Sequence, residues 1–93
     1  MSIKYTPRAV RDLRSIEHYL QVQSPQGVRS VFGAIDDAMK MLSHFPECGV
    51  RDERGVRHIV EPRYGYLIYY RLFSRAPEIR ILAVRHPARL RRS

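Results

Sequence analysis

Gly65-Tyr66-Leu67-Ile68-Tyr69-Tyr70-Arg71-Leu72-Phe73 is the stretch that decides the fold. Tyr66, Ile68, Tyr70 and Leu72 are apolar or aromatic at alternate positions, and so are Leu67, Tyr69 and Phe73 between them. A short run apolar on both faces predicts a central strand over 65–73, covered on both sides. Two further strands flank it, about 56–61 and 78–84. Glu61-Pro62-Arg63-Tyr64-Gly65 supplies the first turn and Ser74-Arg75-Ala76-Pro77 the second. With a four-residue loop at 74–77, Phe73 pairs with Glu78 and Arg71 stands opposite Arg80. Like charges so placed destabilise a sheet unless something anionic lies between them. A loop one residue longer or shorter changes that register.

Working back toward the N-terminus, Ile3-Lys4-Tyr5 is short and alternating, as an edge strand is. Thr6-Pro7 is a helix start, with Thr6 as N-cap and Pro7 at the first helical position. Ala9, Leu13, Ile16 and Leu20 then make one apolar stripe. Ser24-Pro25 repeats the start signal, and Val28, Val31, Phe32, Ile35, Met39 and Leu42 make a second stripe ending near Pro46. Two helices of roughly 16 and 20 residues with a short loop form an antiparallel hairpin. Gly33 inside the second helix costs about 1 kcal/mol against alanine, which predicts close packing there. A charged loop is expected from Arg51 to Gly55. The whole reads as one α+β domain, residues 1–93. Its order is β-α-α-β-β-β: a small antiparallel β-sheet with the N-terminal helical hairpin packed on one face.

Charge is distributed unevenly. Residues 1–50 carry six Lys/Arg against five acids, whereas residues 51–93 carry eleven Arg against four acids, so the second half holds a net +7 of the total +8. A localised positive field attracts anionic partners, nucleic acid or an acidic protein, and arginine grips phosphate and carboxylate in a bidentate way. The lone Cys48 cannot form an internal disulfide, which suits a reducing compartment. No apolar stretch approaches the ~20 residues of a membrane span. The expectation is a soluble cytoplasmic protein without a membrane role.

Chemical motifs are sparse. Four histidines and one cysteine show no metal-ligand spacing, and no Gly-rich phosphate loop or nucleophile motif is present, so no metal and no cofactor is expected. Asp36-Asp37 and Asp52-Glu53 are solvated patches rather than convergent carboxylate pairs. His18, His44 and His58 read as structural or exposed, and His44 suits a helix C-terminus. Tyr69 and Tyr70 read as core and sheet surface rather than base-stacking platforms. Arg57 either meets a partner or pairs with Glu61 or Asp52. His86 either serves function at a strand end or caps the strand. The candidate partner-binding residues are Arg57, Arg71, Arg80, Arg85, His86 and Arg89, with no catalytic residue assigned.

The chain resembles the RelE/ParE superfamily of bacterial toxins. The resemblance rests on Ala9, Asp12-Leu13, Ile16 and Tyr19 in the first helix, and on Leu42, Pro46 and Gly49 closing the second. Arg57, the run Tyr66 to Arg71, and Val84 with His86 and Arg89 complete it. RelE-like members cleave ribosome-bound mRNA with a basic cluster and often a late tyrosine. Here Leu67 stands where they carry a central-strand arginine, and no tyrosine or histidine follows His86. The departure favours the ParE-like branch. That branch implies the toxin of a type II toxin–antitoxin system, a binding protein rather than an enzyme, that poisons DNA gyrase and is neutralised by an acidic ParD-like antitoxin. Plasmid stabilisation and an indirect contact with nucleic acid belong to the same expectation. The alternative is a RelE-like endoribonuclease using Arg57, Arg85, His86 and Arg89. A non-toxic nucleic-acid-binding module is also compatible with composition, although no reader motif supports it.

Overall fold

A computed structural model describes residues 1–87. In chain order the elements are β1 (Ser2–Tyr5), α1 (Pro7–Gln23), α2 (Pro25–His44), β2 (Val50–Arg51), β3 (Arg57–Val60), β4 (Leu67–Phe73) and β5 (Glu78–Arg85). The sheet order is β1-β5-β4-β3-β2, which places β4 at its centre. Strands β2 to β5 form an antiparallel meander, and β1 joins β5 in parallel, so the sheet is mixed. Parallel neighbours need a long crossover, and the helical hairpin with the meander provides it.

The helix starts lie where the sequence puts them. Thr6 Oγ1 accepts from the Ala9 amide at 3.1 Å, and Ser24 Oγ from the Gly27 amide at 3.3 Å. Ser24 alone connects the helices: its own amide closes α1 by donating to Leu20 O at 2.7 Å while its hydroxyl opens α2. One residue between two caps forces the helices back on each other. Their apolar stripes bury Ala9, Ile16, Val31, Ile35, Ala38, Met39 and Leu42 against Ile59, Tyr66, Ile68, Tyr70, Ile79, Ile81 and Val84. Each fully buried aliphatic side chain here, such as Ile68 or Leu42, contributes about 1.5–3 kcal/mol.

Three expectations are corrected. Strand β4 is covered on one side only: Ile68 and Tyr70 are fully buried under the helices, while Leu67, Tyr69, Arg71 and Phe73 are half-buried on a face that no described element covers. Their apolar character reflects contact among neighbouring strands. Gly33 packs against nothing, since an added Cβ there meets no atom within 4 Å. The segment read as loop from Arg51 begins inside a short strand, β2. Asp52 Oδ1 accepts from the Arg54 and Val56 amides at 2.8 and 3.0 Å, and that turn folds β2 onto β3.

Strand β5 contains a feature its sequence conceals. Tyr70 pairs with Ile81 but Tyr69 pairs with Ala83, so Leu82 is an extra residue in a bulge. The bulge turns Arg85 to the face opposite the helices and Val84 into the core. Beyond the end of β1, helix α1 takes over the edge of β5. Thr6 N and Oγ1 donate to the carbonyls of Ile81 and Leu82, and Asp12 Oδ2 accepts from the Val84 amide at 3.0 Å.

Candidate functional site

The candidate residues separate onto two faces. By register, the helix-free face carries four rows: Val60–Leu67–Arg85, Val50–His58–Tyr69–Ala83, Arg71–Arg80–Lys4, and Phe73–Glu78–Ser2. Arg71, Arg80 and Arg85 therefore share one surface, joined by Lys4 from the edge strand. Arg80 is already engaged, with Nε and Nη2 at 3.0 and 2.7 Å from Glu78 Oε2 and its guanidinium 4.1 Å above the Phe73 ring. The Arg85 guanidinium lies 5.6 Å from the Tyr69 ring centre, and His58 lies 5.6 Å from the same ring on the other side. Arg71 acts on Asp52: desolvation works to raise that carboxyl, but the Val56 and Arg54 amides and the charges of Arg54 and Arg71 outweigh it and hold it below its usual range.

Arg57 does not join this surface. It pairs in register with Tyr70 on the helix side, and its Nη1 donates to the carbonyls of Glu47 and Gly49 at 2.9 and 3.1 Å. Beside it Tyr70 Oη donates to Pro46 O at 2.8 Å and accepts from the Gly49 amide at 2.9 Å. Burial pushes the Tyr70 hydroxyl above the usual tyrosine range, outweighing the Gly49 amide, which lowers it. Together these contacts hold the 46–49 turn against the sheet.

His86 also points away from the arginine face. Its ring meets the buried Tyr66 edge-on at 5.2 Å and lies 6.4 Å from Tyr19 of α1, so it packs between sheet and helix. Arg89 lies outside the described residues. Lys4, His58 and Tyr69 were missed as parts of the arginine surface. The alternation along β4 was their only signal.

A groove of about 180 Å³ runs between α2 and the meander, lined by Ala34, Ala38, Met41, Ile59, Val60 and Pro62 among others. Strand β2 reaches only Arg57 and His58, so among the described residues no strand lies beside the outer edge of Ile59–Val60. Met41 and Val60 are 43% and 55% exposed there. Among the described residues no cluster of His, Cys, Asp and Glu is arranged to hold a metal, and no helix is long and apolar enough to cross a membrane.

A helical hairpin on one face of a mixed sheet, with arginines on the other, defines a small basic α+β protein. The chain belongs to the family described as the ParE toxin of the type II toxin–antitoxin system parDE, which matches residues 3–91. It is thus the toxin component of such a system. Among solved structures it resembles a chain of the chromosomal ParDE toxin–antitoxin system from P. aeruginosa, with 28% identity, a TM-score of 0.75, and coverage of 92% of this chain and 95% of that one. The YoeB/ParE toxin from Agrobacterium tumefaciens shares the fold, at 14% identity and a TM-score of 0.61, over 92% of this chain and 98% of that one. No curated protein matches the chain.

Proposed function

We propose that this toxin inhibits DNA gyrase by binding and is silenced by an acidic, ParD-like antitoxin. The observation that carries binding over catalysis is Leu67. It opens the central strand β4 on the helix-free face, in register with Val60 and Arg85, where an mRNA-cleaving relative would need a cation against phosphate. An aliphatic side chain cannot donate to a phosphorane-like transition state, and losing one preorganised donor costs roughly 10²–10³ in rate. The surrounding arginines attract an anionic target without performing proton transfer on it.

The antitoxin reading is supported by the groove beside α2 and the open edge of β3. An acidic segment that folds on binding buries Met41 and Val60, with Arg63 at the groove to meet a carboxylate. Three assays test the proposal. The purified toxin should inhibit gyrase supercoiling or trap cleaved DNA, and should leave mRNA on translating ribosomes intact. Replacing Arg85 and Arg89 with alanine should weaken gyrase inhibition. Saturating antitoxin should raise the melting temperature by mass action. Efficient ribosome-dependent mRNA cleavage with no effect on gyrase overturns the gyrase reading, and an unchanged melting curve with the co-purifying neighbour protein overturns the antitoxin reading.

A further inference from the structure

We infer that the antitoxin holds this toxin by adding a strand to the open edge of β3, pairing its main chain with Val60. The inference rests on the antitoxin reading above and names the form that the bound segment takes. The Glu61 amide donates to Tyr66 O at 2.7 Å, which sets the hydrogen-bonding parity of β3. In an antiparallel ladder every second residue faces the same neighbour, so Arg57, Ile59 and Glu61 turn their backbone groups toward β4. His58 and Val60 turn theirs the other way. His58 meets Val50 of β2. Beyond it, among the described residues, no strand receives the N–H and C=O of Val60.

The surface around those two groups suits an extended segment. Val60 is 55% exposed, and the groove lined by Ala38, Met41 and Ile59 lies beside it on the helix side. Side chains of an added strand alternate between the two faces. The residue paired with Val60 lies on the helix-free face, continuing the row of Val60 and Leu67. Its two neighbours point toward the groove, where an apolar side chain opposite Ile59 packs on Ala38 and Met41. Arg63, at the Pro62 end of the groove, donates to a carboxylate of the segment. Pro62 has no amide to extend the ladder. Pairing is therefore confined to the two bonds of Val60, and the groove supplies the remaining contact.

A helix laid in the same groove fits less well. Its backbone groups are already bonded within the helix, so it would cover the Val60 N–H and C=O without giving them partners. Buried backbone groups left unpaired are costly. An added strand satisfies both, taking affinity from main-chain bonds and specificity from alternate side chains. The opposite edge of the sheet, β1, carries the exposed Lys4, and lysine on an edge discourages strand pairing.

Residue-resolved amide hydrogen exchange tests the inference, on the toxin alone and saturated with the purified product of the adjacent gene. Exchange at the Val60 amide should slow at least about tenfold in the complex, as one new hydrogen bond at that site requires. Val60→Pro removes the donor, and proline is tolerated where the N–H of an edge strand faces outward. It should bind the partner about 5- to 150-fold more weakly than Val60→Ala, the range set by leaving the partner's buried carbonyl unpaired. A docked helix predicts the reverse, equal or tighter binding by Val60→Pro. Exchange in the unmodified toxin decides the matter where Val60→Pro lowers stability. A complex in which the Val60 amide exchanges as fast as in the free toxin overturns strand addition and leaves the antitoxin reading standing. So does Val60→Pro that folds and binds as tightly as Val60→Ala. A neighbour protein that does not bind at all overturns both.

Discussion

Arg71 of β4 and Arg80 of β5 stand directly opposite each other on the helix-free face of the sheet. The sheet tolerates the pair because Glu78 takes Arg80 through two nitrogens and Phe73 lies beneath its guanidinium. Glu78 itself pairs with Phe73 across the strands, so the neutralising carboxylate comes from the same ladder as the repulsion.

Replacing Glu78 with glutamine should therefore lower the melting temperature at low ionic strength. The deficit should stay within about 1 kcal/mol, as the pair is partly exposed, and should shrink as salt screens Arg71 from Arg80. A deficit independent of salt would remove repulsion as its cause.

Asp12 should matter more than its place on a helix surface suggests. Its carboxylate completes the edge of β5 by accepting from the Val84 amide. Asp12→Ala should cost about 1–3 kcal/mol, the penalty of an orphaned donor. Asp12→Asn, which retains an acceptor, should recover part of that. Urea denaturation with unchanged slope measures both.

Two glycines should respond in opposite directions. Gly33 has open space for a Cβ, so Gly33→Ala should stabilise the helix by about 0.5–1 kcal/mol. At Gly49 a Cβ would lie 2.5 Å from Tyr70 Oη and 2.9 Å from His58 O, so Gly49→Ala should destabilise by about 1–3 kcal/mol through overpacking. Thermal melts of the two variants side by side check the contrast.

Stability should fall in alkali. The Tyr70 pKa is raised in the fold by burial, and that of Tyr5 by burial and by Asp36. Between the unfolded value of about 10 and the raised folded value, the native state binds more protons than the unfolded one, so stability is full below about pH 10 and declines above it. In Tyr70→Phe the decline should be shallower, although its starting stability is lower because the Gly49 amide loses its acceptor. Denaturant midpoints across that pH range provide the measurement.

Much of this architecture was legible from local signals. Thr6-Pro7 and Ser24-Pro25 predict both helix starts because capping depends on a few adjacent residues. The ladder of Phe73 with Glu78 follows from a four-residue turn. Less legible was anything that depends on a distant neighbour. Arg57 reads as a candidate for partner binding, and its bonds to the carbonyls of Glu47 and Gly49 exist only because the turn after α2 returns alongside β3. The parallel pairing of β1 and the bulge at Leu82 left no periodic trace.

The sequence by itself determined the two amphipathic helices, the meander, the excess of arginine in the second half and the leucine at position 67. These depend on spacing along the chain, and spacing survives without coordinates. Only the tertiary structure decided which face each arginine occupies. One extra residue in β5 reverses the side-chain alternation, turning Arg85 to join Arg71 and Arg80 while Val84 enters the core. The backbone groups left at that edge are satisfied by Thr6 and Asp12, from the other end of the chain. Such a contact joins residues more than seventy positions apart, and no local pattern encodes it.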